Sequence, residues 1–179
     1  LASGQTSNLY RRFIDSQTQI MDIGATSVFG WRSDEIGEPI FIGLNSVHRK
    51  TGNAGVMDSI RQVILDEIQQ VSNYPDSSDE LSEFNKRIEG RIEEYRKEIT
   101  DFLNSPPRFG YRGTGSSWMK HLSELHKIGG FKRSLTFSEH FDWASTIVKS
   151  NKNHWRKMIN NWKLLNDKPS GIVTLPDPE

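Results

Sequence analysis

One stretch restricts the fold of this chain more than any other: Asn104–Leu125, which reads Asn-Ser-Pro-Pro-Arg-Phe-Gly-Tyr-Arg-Gly-Thr-Gly-Ser-Ser-Trp-Met-Lys-His-Leu-Ser-Glu-Leu. A long charged helical pattern runs into it and stops. Pro106 and Pro107 each lack an N–H, and their rings crowd the preceding turn, so no helix passes through them. Gly110, Gly113 and Gly115 supply backbone freedom for a reversal. Ser116 or Ser117 caps a following helix whose first apolar residues are Trp118, Met119 and Leu122. Phe109, Tyr111 and Trp118 are large for a solvated loop and are expected to anchor it to a core.

Upstream, Leu9, Phe13 and Ile14 lie at helical spacing after a small polar loop, and this helix is expected to end near Gln17–Gln19. Ile20–Trp31 reads as a strand, Arg32–Glu38 as a polar turn and Pro39–Arg49 as a second strand. In the second strand Ile40, Ile42 and Leu44 point one way and Phe41, Gly43 and Asn45 the other. Two strands with a short polar link predict an antiparallel hairpin. Thr51–Gly55 reads as a loop.

Two long helices follow. Over Val56–Ser72, one stripe carries Val56, Ile60, Val63, Ile64, Ile68 and Val71. Tyr74-Pro75-Asp76 ends this helix, and Ser77 with Glu80 forms a capping box for the next. Over Asp79–Leu103, Leu81, Phe84, Ile88, Ile92, Tyr95, Ile99 and Phe102 alternate at three and four. Glu83 with Arg87, and Glu93 with Lys97, make favourable pairs on the wet side. The repeat lasts only about three heptads, so a helix lying on a sheet is favoured over a coiled coil.

Beyond the break, Trp118–Lys127 is predicted helical and Gly129-Gly130 interrupts it. Ser138 caps a helix with Phe141, Ala144, Ile147 and Val148. A further helix spans Trp155, Met158, Ile159, Trp162 and Leu165. After the Pro169-Ser170-Gly171 turn, Ile172–Leu175 reads as a strand. The fold class expected is α+β, an antiparallel sheet covered by several helices, in a single domain over 1–179.

Composition narrows the function classes. The 179 residues hold 23 Lys+Arg and 23 Asp+Glu, a formal net charge of +0, so nothing draws the chain as a whole to nucleic acid or an acidic membrane. With zero cysteines there are no disulfides and no thiolate metal sites. No apolar run approaches the ~20 residues of a membrane span. The chain opens on Leu1-Ala2-Ser3, which suggests a piece of a longer protein.

Four residue sets invite a chemical reading. His121, Glu124 and His126 evoke zinc peptidases, where two histidines four apart on a helix grip one metal and a glutamate is the base. Here they are five apart, roughly 140° around the helix, and do not converge on one Zn²⁺. His140 and Asp142, beside Glu139, could pair as acid and base; a polar helix start is favoured. Gly110, Gly113 and Gly115 mimic a phosphate loop but lack its strand, lysine and spacing. Lys149, Lys152, Arg156, Lys157 and Lys163 interleave with Trp143, Trp155 and Trp162, a mixture that can bind single strands. The tryptophans share an apolar stripe with Met158 and Leu165, so burial is expected instead.

These residues also resemble a family. Gly4-Gln-Thr-Ser7-Asn-Leu9-Tyr10 is similar to the small-residue loop, serine and Leu-Tyr helix start of pitrilysin/insulinase-type zinc metallopeptidases. The order of strand pair, two long helices, shorter helices and final strand is similar as well. Glu80-Leu81 with Phe84-Asn85-Lys86-Arg87 resembles the opening of the family's long helix. Pro107–Trp118, Gly130-Phe131 and Val173–Pro178 look most like the second, non-catalytic domain of presequence-protease-like members. The resemblance covers most of the chain and implies a metallopeptidase-like domain, incomplete at its N-terminal side.

The family's four related domains enclose a peptide-degrading chamber, with zinc held by His-x-x-Glu-His in the first. Nothing in this chain matches that motif, nor the Arg and Tyr that the fourth domain lends to catalysis. The resemblance therefore implies no catalytic, cofactor-binding or metal residue here, and zinc only in the parent's catalytic domain. It implies partners that are the other domains of the same peptidase and its peptide substrate, with no nucleic acid and no membrane span. A scaffold domain that binds a protein partner is the alternative.

Overall fold

The computed structural model describes residues 1–2, 4–32, 39–104 and 138–174. It is α+β. The sheet has two antiparallel strands, β1 (Ser27–Arg32) and β2 (Ile40–Asn45). Helices are α1 (Asn8–Phe13), α2 (Ala54–Asn73), α3 (Asp79–Asn104), α4 (Ser138–Val148) and α5 (His154–Asn161), with a 3₁₀ turn over Arg49–Gly52. Two compact units result. The first takes Leu1–Ser33, Pro39–Leu81 and Asn151–Glu179; the second takes Asp34–Glu38 and Ser82–Ser150.

In the first unit, Ser7 starts α1 by accepting a hydrogen bond from the Tyr10 N–H at 3.3 Å. Six residues are too few for a stable helix in water. Burial of Leu9 and Phe13 holds this one in place. They join Ala2, Ile23, Ala25, Val28 and Ile60 in one apolar cluster, against which Ile42, Leu44, Val56, Val63 and Ile64 pack. The expected hairpin is present, with Val28 opposite Leu44 and Trp31 opposite Phe41.

Both hairpin faces are apolar. Val28, Ile42 and Leu44 face the cluster. Phe29, Trp31 and Phe41 face out, and Trp31 is 56% exposed. The Trp31 and Phe41 rings stack at 5.0 Å, and the Phe29 ring fills the space over Gly43 that a side chain there would need.

The strands are shorter than their apolar patterns. Residues 20–26 are irregular, because Gly24 takes φ +72° and its N–H turns onto Asp22. β2 ends where Ser46 takes φ 60°. The expected Thr51–Gly55 loop is instead the end of the 3₁₀ turn and the start of α2, capped by Asn53, whose side chain accepts from the Gly55 N–H. α1 also stops at Phe13, short of Gln17.

Both long helices form: α2 starts two residues earlier and ends one later than expected, and α3 starts at Asp79 as expected and ends one residue later. The α2 stripe faces inward: Ile60, Ile68 and Val71 are buried, Val56, Val63 and Ile64 half-buried. The capping box does not form as expected. Ser78, one residue later than Ser77, caps α3 by accepting from the Leu81 N–H at 3.2 Å. Ser77 sits at φ 63° and its N–H donates to the Asn151 carbonyl.

α5 ends at Asn161, not Leu165, because Lys163 adopts φ 54°. Trp162 thus lies past the helix end and is 64% exposed, against the expected burial; Trp155 is half-buried. Residues 172–174 form no strand, and Ile172 is exposed.

In the second unit, α3 and α4 carry the expected stripes. Phe84, Ile147 and Val148 are buried, Ile88 and Ile92 half-buried, and Tyr95 exposed. The Asn104–Leu125 reversal, the Trp118–Lys127 helix and Gly129-Gly130 lie outside the described residues, apart from Asn104 as the last residue of α3. No described helix is long and apolar enough to cross a membrane.

Candidate functional site

Of the sequence-derived candidates, His121, Glu124, His126, Gly110, Gly113 and Gly115 lie outside the described residues. His140 and Asp142 are in the first turns of α4. His140 lines an open apolar groove of about 280 Å³ with Ile88, Arg91, Ile92, Tyr95, Phe141 and Ala144. The groove follows from stripe geometry: α3 presents every third or fourth residue toward α4. Tyr95 and Phe141 meet at 6.0 Å between centroids, and the Arg96 guanidinium lies 4.9 Å from the Phe141 ring. Arg96 Nε is buried and among the described residues has no hydrogen-bond acceptor, Glu93 standing off at 3.9 Å. Asp142 is exposed, its backbone carbonyl accepting from the Thr146 hydroxyl. Of the residues lining the groove, His140, Arg91 and Tyr95 carry polar side-chain atoms and the others are apolar.

The mixed basic and aromatic set divides between the units. Trp143 and Lys149 belong to the second, where Lys149 Nζ lies 3.7 Å from Glu89. Trp155, Arg156, Lys157, Trp162 and Lys163 belong to the first. There Arg156 faces inward chemically, donating to the Ser72 carbonyl at 2.9 Å and the Tyr74 carbonyl at 3.0 Å. A guanidinium so placed caps the end of a helix.

The most developed polar constellation was invisible to motif reading. Asn153 is buried just before α5. Its Nδ2 donates to the carbonyls of Val71 at 2.9 Å, Ser72 at 3.3 Å and Tyr74 at 2.9 Å, so two hydrogens serve three acceptors. Its Oδ1 accepts from the Arg156 N–H, and its own N–H donates to Asp76. One residue thus closes the C-terminus of α2 and opens α5. The sequence signal is slight: an asparagine two residues ahead of an apolar stripe.

A second buried joint holds α1 on α2. Glu67, 4% exposed, accepts from Asn8 Nδ2 at 3.0 Å and from Arg12 Nε, and Arg12 also reaches Gln70 at 3.5 Å. A buried carboxylate needs such partners to offset its lost hydration. It ties α1 to α2 across more than 50 residues of chain, a structural joint.

Among the described residues, no three His, Asp or Glu side chains converge as a metal would require. No family model, curated protein or solved structure matches this chain.

Proposed function

We propose that this chain is a non-catalytic, chamber-forming portion of a zinc metalloendopeptidase that degrades peptides. The observation that carries the reading is the succession of elements. An antiparallel hairpin is followed by helices of 20 and 26 residues and then by shorter helices, in line with the order the family resemblance implies apart from its final strand, which residues 172–174 do not form. The start of the chain adds local support. Gly4 turns at φ +85°, Ser7 caps α1, and Leu9 is its buried anchor, as in the small-residue loop and Leu-Tyr helix start of that family. In this reading zinc and the catalytic base lie in another domain of the parent. The chain's part is to support that domain and enclose substrate.

A second reading, a scaffold domain that binds a protein partner, is favoured by the exposed aromatic face of Phe29, Trp31 and Phe41.

The test uses the parent polypeptide. Elemental analysis and peptide cleavage should show a zinc-dependent peptidase whose activity falls when residues 1–179 are deleted. The chain 1–179 alone, washed with chelator and reloaded, should hold no stoichiometric zinc. A parent without zinc or cleavage would overturn the peptidase reading in favour of the scaffold. One tight zinc in 1–179, lost on His121→Ala, would overturn both.

A further inference from the structure

We draw no further inference here: the strongest candidate, the outward aromatic face of the β1–β2 hairpin formed by Phe29, Trp31 and Phe41, is an unpartnered apolar face, and nothing in the structure shows what covers it.

Discussion

The two units are held together by different kinds of contact. In the first, Phe13, Leu9, Ile23, Leu81 and Val71 are the most completely buried large side chains of the described residues, and all belong to it. Its polar joints tie residues far apart in sequence: Arg12 to Glu67 across 55 positions, Arg156 to Ser72 across 84. In the described part of the second, Phe84, Ile147 and Val148 are buried while Tyr95 and Trp143 are exposed. Arg91 pairs with Glu94, three residues on, at 2.7 Å. Such local pairs contribute only ~0.2–0.5 kcal/mol each. The first unit is therefore a tertiary object whose helices depend on one another. The second also has long-range polar ties, Asn85 Nδ2 to the Ser150 carbonyl at 3.4 Å and Lys149 Nζ to Glu89 at 3.7 Å, but the seam between its described helices is more open, with Tyr95 half exposed.

The largest expected effect tests that contrast directly. Phe13→Ala removes a ring that is 1% exposed and should cost ~3–5 kcal/mol. Tyr95→Ala, at a ring 50% exposed, should cost about 1 kcal/mol or less. Denaturant unfolding followed by circular dichroism measures both. Equal losses of midpoint would dissolve the distinction between a sealed core and an open seam.

Asn153 ranks next. Asn153→Ala leaves the Val71 carbonyl without its side-chain donor, while Ser72 and Tyr74 keep Arg156, and it also removes the cap of α5; it should cost ~2–4 kcal/mol, about 1–3 kcal/mol for the unpaired buried acceptor and about 1 kcal/mol for the cap. Asn153→Asp keeps the acceptor for the Arg156 N–H but turns a carboxylate oxygen toward those carbonyls. It should be at least as damaging as the alanine. If Asn153→Asp were instead neutral, the residue would be acting only as a cap for α5.

A smaller effect is expected at Glu67. Glu67→Ala should cost ~1–3 kcal/mol, less than for a fully enclosed pair, because the Arg12 side chain is 33% exposed and recovers some hydration. A double-mutant cycle with Arg12→Ala should return a coupling on the order of 1 kcal/mol. Zero coupling would reduce the joint between α1 and α2 to apolar packing alone.

What could be read from the sequence was local. The 3.6 period gave α2, α3 and α4 nearly to their ends, and strand alternation gave the hairpin. Alternation could not say which face turns inward, because Phe29, Trp31 and Phe41 are as apolar as Val28, Ile42 and Leu44; packing against α1 and α2 decides it. The cap of α3 moved from Ser77 to Ser78 because the Ser77 N–H is taken by Asn151, 74 residues away in the chain. Trp162 looked like a stripe residue only while the helix was drawn through to Leu165, and the left-handed Lys163 ends that extrapolation. Asn153, Glu67 and Arg156 carry no motif, since their partners are backbone carbonyls or side chains supplied by distant elements. The proposed function rests on the order of elements.

The smallest effect concerns the segment after α5. Lys168 Nζ lies 3.0 Å from Asp58 Oδ1 on α2, and Arg61 also pairs with Asp58. The hydrogen bond from Lys168, followed by its charge, holds the Asp58 carboxyl below its ordinary value of 3.8, with Arg61 adding to the shift. The sign follows from linkage. A carboxyl whose folded value is depressed contributes its stability in full above the unfolded value, and loses it as pH falls through the folded value. The clasp should therefore be intact at neutral pH and fade only below about pH 4. Both side chains are mostly exposed, so its effect on overall stability should be close to the detection limit and weaken further with salt. A carboxyl carbon titration by NMR reads it without needing a stability difference. In the unmodified chain Asp58 should titrate below the ordinary aspartate range. Lys168→Ala should raise its midpoint, with Arg61 leaving part of the depression in place, and high salt should raise it as well. A midpoint that does not move in Lys168→Ala would mean that residues 165–174 do not rest on α2 in solution, and that the first unit is closed by Asn153 and Arg156 alone.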